Sequence, residues 1–127
     1  MTAHIVYEAY DAERCGTLSP VIVNEVIRGE IGFDGLLISD DLKMKALGGP
    51  VGGRVAGAIA AGVDIACCCN FSLAEMAEAA AAAPILAGKS LERAEKARAR
   101  MPEPALPGDK SADYDRLAGL LKPALTA

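Results

Sequence analysis

The chain has 127 residues, a formal net charge of −4 and a pI near 5.0. This acidic balance argues against a nucleic-acid partner, which would require clustered Lys and Arg. The longest apolar runs are far shorter than the ~20 residues of a membrane-spanning helix. The N-terminus also lacks the basic and apolar regions of a signal peptide. The expected location is therefore the cytoplasm, with no membrane partner.

Three short apolar runs alternate with helical patterns, and we call them the first, second and third predicted strands. They span residues 3–7, 35–39 and 63–69. Helices are predicted from Ser19 to about Glu30, about Arg54 to Ala61, Ser72 toward Ala83, Ser90 to about Arg100 and about Ala112 to Leu121. The serines that open three of these helices are predicted N-caps. Strands that alternate with helices favour an α/β fold with parallel pairing.

The second predicted strand ends in the most informative motif of the chain, Ser39-Asp40-Asp41-Leu42-Lys43-Met44. A buried parallel strand that stops at two carboxylates is typical of the rim of an α/β barrel. Neighbours on an extended backbone point to opposite faces, so at most one of the two aspartates faces the barrel mouth. If Asp40 does, Leu37 faces the helices and Asp41 holds the following loop. Paired aspartates after a strand are also often helix caps.

This motif resembles the nucleophile strand of glycoside hydrolase family 3, in particular the bacterial β-N-acetylglucosaminidases (β-hexosaminidases) of peptidoglycan recycling. Three other segments are similar to that family in the same order: Met1 to Tyr7, Thr17 to Pro20, and Ala61 to Ile65 with Cys69-Asn70. The resemblance implies a partial (β/α)8 TIM barrel, made of the last three βα units with a C-terminal helical extension. Residues 1–101 would form the C-terminal portion of the barrel, and residues 102–127 a Pro-rich linker and a terminal helix.

The resemblance also implies an activity, the retaining hydrolysis of terminal β-linked N-acetylglucosamine from peptidoglycan fragments. Asp40 would be the nucleophile, and no metal or organic cofactor is expected. His4 is either a structural histidine with both nitrogens satisfied or a residue that lines the sugar pocket, and a general acid role is the least expected option. Met44 is expected to pack at the edge of that pocket. Asp34 and Asp64, which precede strands, are expected to be structural.

A retaining glycosidase needs a second acid about 5 Å from its nucleophile, and nothing in this chain convincingly supplies it. The family's Lys-His-Phe-Pro-Gly-His-Gly loop, which lies with the acid/base arrangement, is absent. A complete barrel needs roughly 200 residues or more. The chain is therefore expected to be part of a larger enzyme and to be inactive or very weak alone. The alternative is a truncated, non-catalytic barrel remnant. Unpaired barrel edges predict possible self-association.

Three of the four cysteines are consecutive. Alternation sends Cys67 and Cys69 to one face of the third predicted strand and Cys68 to the other. The spacing lacks the Cys-x-x-Cys pair of a zinc site, and vicinal cysteines bridge poorly. The triplet is expected to serve as small buried apolar residues, and Cys15 to be an incidental thiol in a loop. A redox or metal protein built on the triplet is a third hypothesis.

Overall fold

A computed structural model describes residues 1–101, 114–117 and 119. Within the first of these ranges the helices are Val21–Glu30, Val51–Ala61, Leu73–Ala82 and Gly88–Ala99, which we call the first to fourth helices. Residues 114–117 and 119 are helical, within the predicted terminal helix. The rest of that helix and the predicted linker lie outside the described residues.

The first helix begins after Ser19 and Pro20, as the capping signals predict. Ser19 Oγ accepts a hydrogen bond from the Ile22 N–H at 3.2 Å. The helix is a π-helix, a form in which N–H groups bond to the carbonyl five residues earlier. Its last such bond joins the Ile31 N–H to the Val26 carbonyl at 2.8 Å. The apolar periodicity of the sequence predicted only a helix and not this wider geometry.

The second helix begins at Val51, three residues before its predicted start near Arg54, but its end and the start of the third helix follow their sequence signals. The second helix ends at Gly62, whose φ of +105° places it in the left-handed region that favours glycine. The third helix opens with a capping box, in which Ser72 Oγ accepts from the Glu75 N–H at 3.3 Å and Glu75 Oε2 accepts from the Ser72 N–H at 2.7 Å. Both predictions are confirmed.

The fourth helix differs from its prediction at the N-terminus. It begins at Gly88, so Ser90 lies inside the helix and is not its N-cap. Ser90 Oγ instead donates a hydrogen bond to Asp64 Oδ1 at 2.6 Å. The sequence rule for N-caps was wrong here because the hydroxyl is used by a carboxylate 26 residues away.

The second and third predicted strands pair in parallel. Ile38 and Ile65 form a parallel bridge. The Ser39 N–H donates to the Ile65 carbonyl at 2.9 Å, and the Ile65 N–H donates to the Leu37 carbonyl at 3.2 Å. The predicted direction of this pairing is confirmed, while the partial barrel itself stays a prediction.

The pairing between these two segments is this single isolated bridge, so within the described residues none of the three predicted strands forms a regular β-strand. A parallel ladder would pair alternate N–H groups with backbone carbonyls on both sides of the bridge. Side-chain oxygens take three of these N–H groups: Leu37 N–H donates to Asp64 Oδ2, Cys67 N–H to Ser39 Oγ and Cys69 N–H to Asp41 Oδ1. The strands therefore stay together through alternating backbone and side-chain hydrogen bonds.

The first predicted strand contacts two neighbours. The Thr2 N–H donates to the Ile38 carbonyl of the second predicted strand at 3.0 Å. Val6 also forms an antiparallel bridge with Cys15. Cys15 is thus a buried member of the core and not an incidental loop thiol, because the chain folds back on the first predicted strand.

The apolar core lies between the second and third predicted strands and the first three helices. Leu37 is 2 % exposed and belongs to this core, as expected for the face that meets the helices. The other buried members are Cys15, Val23, Leu42, Leu47, Val51, Val55, Ala58, Ala61, Val63, Phe71 and Ala79. No helix in the described part of the chain is both long enough and apolar enough to cross a membrane.

Candidate active site

Asp40 lies two residues beyond the parallel bridge, at the carboxyl end of the second predicted strand. Its side chain is half-buried, and its Oδ1 accepts a hydrogen bond from the Asp41 N–H at 2.8 Å. The Asp40 carbonyl accepts from Ser39 Oγ at 2.8 Å, and that hydroxyl in turn accepts from the Cys67 N–H. The backbone of Asp40 is thus tied through Ser39 to the third predicted strand, while the carboxylate itself is held by the N–H of the next residue.

Asp41 holds the loop that follows, as the sequence predicts. Its Oδ1 accepts hydrogen bonds from the N–H groups of Lys43 and Cys69, each at 3.0 Å. These two bonds lower the pKa of the Asp41 carboxyl below its ordinary value despite some desolvation, and the bond from the Lys43 N–H has the larger effect. The two adjacent aspartates therefore have different surroundings, and the loop-holding role of Asp41 is confirmed.

His4 is bound by a chain of hydrogen bonds. Its Nε2 lies 2.9 Å from the Asp41 carbonyl, and its Nδ1 lies 2.8 Å from Thr17 Oγ1. A carbonyl can only accept, so Nε2 carries a proton. In the neutral ring Nδ1 then accepts from the Thr17 hydroxyl, which accepts from Thr2 Oγ1 at 2.9 Å. Both ring nitrogens are bonded inside the chain, which favours the structural role over the pocket-lining and general acid roles that the sequence left open.

Asp41 also brings the three predicted site residues together. Its carbonyl accepts from His4 Nε2 and from the Met44 N–H, the latter at 3.1 Å. Met44 is 42% exposed at the same loop. His4 therefore reaches the backbone next to Asp40 and not the Asp40 carboxylate. Contact of His4 or Met44 with a sugar stays a prediction.

Lys43 is a site residue that the sequence reasoning missed. Its Nζ donates to the Asn70 carbonyl at 2.8 Å and to Glu75 Oε2 at 3.0 Å. The ammonium also lies 5.6 Å from the centre of the Phe71 ring. Lys43 thus ties the loop after Asp40 to the end of the third predicted strand and to the third helix. Its only sequence signal is its place between the aspartates and Met44 in the motif.

Asp64, at the opposite end of the third predicted strand, is a buried structural hub. Its fully buried carboxylate accepts from Arg28 at 2.7 Å, from Ser90 at 2.6 Å and from Arg93 at 3.1 Å. Burial alone would raise the pKa of Asp64, but the hydrogen bonds from Ser90, the Leu37 N–H and Arg93, with the charge of Arg28, hold it below its ordinary value. The predicted structural role is confirmed.

Three cavities formed by the described residues lie away from Asp40. One, of about 430 Å³, lies beside Asp64 and is lined by Arg28, Ser90 and Arg93 among others. Cavities of about 400 and 240 Å³ lie at Asp34 and at Thr2. Asp40 lines none of these three.

The cysteine triplet is more exposed than the sequence predicted. Cys68 and Cys69 are exposed and Cys67 is half-buried, whereas Val63 at the start of the same predicted strand is a buried core residue. The expectation of buried apolar residues was wrong for this end of the strand. Cys67 Sγ and Cys69 Sγ lie 3.5 Å apart, which confirms that they share a face. Among the described residues, no cluster of three or more His, Cys, Asp or Glu could hold a metal ion.

Residues 1–101 match the family described as glycosyl hydrolase family 3 N terminal domain, and the chain belongs to this family. The chain is similar to several curated β-hexosaminidases. It is 43% identical to that of Alkalilimnicola ehrlichii over 72 residues, 55% of this chain and 20% of the relative. It is 40% identical to the β-hexosaminidase of Pseudomonas aeruginosa over 83 residues, which cover 63% of this chain and 25% of the relative. It is 39% identical to that of Chromobacterium violaceum over 98 residues, which cover 76% of this chain and 27% of the relative. The chain thus spans between a fifth and about a quarter of the length of these relatives.

Proposed function

We propose that this chain carries the nucleophile part of the active site of a retaining β-N-acetylglucosaminidase, as one portion of a larger enzyme. The substrates are peptidoglycan fragments with terminal β-linked N-acetylglucosamine. Membership of glycosyl hydrolase family 3 supports glycosidase chemistry, and the name β-hexosaminidase of the relatives supports the sugar class. In this proposal the three predicted strands are consecutive strands of a (β/α)8 barrel.

The position of Asp40 carries the proposal. A retaining nucleophile must approach the anomeric carbon from a fixed place below the sugar ring. Asp40 follows a strand that pairs in parallel with its neighbour, so it lies at the carboxyl end where barrel enzymes place catalytic residues. The Asp41 N–H fixes one of its carboxylate oxygens. His4 and Lys43 act as positioning residues, because they hold the loop that begins at Asp40.

The general acid/base comes from outside the described residues. Within these residues the Asp40 carboxylate has no hydrogen bond to another acid, and both nitrogens of His4 are bound elsewhere. This observation also favours the second candidate, a barrel remnant that hydrolyses nothing. We place the chain in the cytoplasm, since its four cysteines are free thiols, as is usual in a reducing compartment.

A chimera distinguishes the two candidates. Residues 1–101 would replace the matching segment of the Chromobacterium violaceum β-hexosaminidase, which supplies the remaining barrel and the acid/base. We expect a folded chimera to hydrolyse an aryl β-N-acetylglucosaminide with retention, and Asp40→Asn to lower kcat at least ~10³-fold. Asp34→Asn is the matched control, because Asp34 is an exposed partner of Arg93 far from the loop; its kcat should stay within a few-fold. A folded but inactive chimera would support the remnant.

The isolated chain gives a second, independent assay. It should hydrolyse a muropeptide very poorly, because the protonation of a sugar leaving group by a general acid contributes ~10²–10⁴-fold. An activated aryl glycoside needs little protonation and should be cleaved slowly. Robust turnover of the muropeptide that persists in Asp40→Asn would overturn both the nucleophile and the incomplete site.

A further inference from the structure

The cysteines at the end of the third predicted strand form a thiol pair that the proposed glycosidase chemistry does not use. Cys67 Sγ and Cys69 Sγ lie 3.5 Å apart, and Cys69 is exposed to solvent. We propose that Cys67 and Cys69 are an oxidation site, at which a peroxide converts the two thiols into a reversible intrachain disulfide.

The backbone holds both cysteines in the same orientation. The Cys67 N–H donates to Ser39 Oγ at 2.8 Å and the Cys69 N–H donates to Asp41 Oδ1 at 3.0 Å. Both N–H groups therefore point toward the second predicted strand, and the side chains of residues 67 and 69 share one face. This arrangement keeps the two sulfurs adjacent and sends the side chain of Cys68 to the other face.

A bond between the two sulfurs requires the backbone at Cys68 to contract. Residues two apart on a strand have Cα atoms about 6.6 Å apart, within the usual disulfide range of about 4.4–6.8 Å. Their Cβ atoms on an extended chain are about as far apart as their Cα atoms, whereas a disulfide needs Cβ atoms about 3.5–4.5 Å apart. The sulfurs must approach each other by about 1.5 Å to reach a bond length near 2.05 Å. This contraction strains the bond and makes it easier to reduce, which favours reversibility.

The reaction balances with hydrogen peroxide as the oxidant. The sulfur of one cysteine, as its thiolate, attacks a peroxide oxygen, the O–O bond breaks, and a sulfenic acid and one water result. The second sulfur then attacks the sulfenic sulfur, the S–O bond breaks, and a second water leaves. Two thiols and one peroxide thus give one disulfide and two waters. A dithiol reductant restores both thiols.

The sequence makes the product easy to detect. Trypsin cleaves after Arg54 and next after Lys89, so one peptide, residues 55–89, holds all three neighbouring cysteines. The 127-residue chain would be treated with hydrogen peroxide in mildly alkaline buffer, alkylated, digested and analysed by mass spectrometry. We expect this peptide to lose two hydrogens and to carry one alkyl group instead of three. A dithiol added before alkylation should restore all three.

Serine variants locate the bond. Cys67→Ser and Cys69→Ser should each keep two alkylated cysteines after peroxide, whereas Cys68→Ser, the matched control, should lose both alkyl groups. Circular dichroism before oxidation checks that the variants fold. A disulfide that persists in Cys67→Ser or Cys69→Ser would overturn the assignment. So would peroxide-dependent dimers or the gain of oxygen in place of the loss of hydrogen.

Discussion

The buried carboxylate of Asp64 offers the sharpest test of what holds this fold together. Asp64→Ala removes the acceptor for Arg28, Ser90 and the Leu37 N–H. Loss of one partner of a buried ion pair costs about 3–5 kcal/mol. Arg93 keeps Asp34 as a second acidic partner, so we expect the lower end of this range, about 3 kcal/mol. In a domain of roughly 100 residues that loss lowers Tm by about 12 °C or more.

Asp34→Ala is the matched control. It removes the same type of side chain from the same Arg93, but the Asp34 side chain is 63% exposed. Exposed pairs contribute about 0–1 kcal/mol. Urea unfolding followed by circular dichroism would give both free energies of unfolding. Equal losses in the two variants, or a loss below about 1 kcal/mol for Asp64→Ala, would refute the claim that the buried hub dominates.

Three further predictions concern pH, backbone and assembly. The hydrogen bonds of Ser72, with Lys43, lower the pKa of Glu75 from 4.5 to about 2, so the contribution of its capping box is present above pH 4.5 and lost toward pH 2. The difference in unfolding free energy between the chain and Glu75→Gln should therefore shrink over that range, and a constant difference would contradict it. Gly62→Ala places a Cβ at positive φ and 2.8 Å from a side-chain oxygen of Asn24, whereas Gly32→Ala has positive φ but open space around the Cβ. Urea unfolding should show a loss of about 1 kcal/mol of unfolding free energy for Gly32→Ala and a clearly larger loss for Gly62→Ala. Equal losses in the two variants would argue against the clash. Light scattering should show self-association, since unpaired strand edges recruit partners; a stable monomer would oppose this.

Local signals in the sequence predicted much of the helical structure. Gly62 ends the second helix and Ser72 with Glu75 opens the third, because each signal acts within one turn of its helix. The π-helix was not predicted, since a short helical pattern of apolar residues does not tell hydrogen bonds that span four residues from those that span five. Ser90 was misassigned because a distant carboxylate competes for its hydroxyl.

The candidate site was predictable to the level of its motif. Asp40 and Asp41 stand out because two charges end an apolar run, and the loop-holding role of Asp41 followed from alternation. The contacts of Lys43 with Glu75 and of His4 with Asp41 join residues 32 and 37 positions apart. No local pattern encodes such distances, so these positioning residues needed the structure. The barrel as a whole stays a prediction.

Covalent trapping tests the central claim most directly. The chimera would be incubated with an activated glycosyl fluoride whose electron-withdrawing substituent slows hydrolysis of the glycosyl-enzyme, then quenched in acid and digested with trypsin. Asp40 lies in the peptide of residues 29–43, together with Asp34 and Asp41. We predict that this peptide carries the sugar, that fragmentation places it on Asp40, and that Asp40→Asn abolishes the label. A sugar on Asp41, on Asp34 or on another peptide would contradict the assignment of the nucleophile.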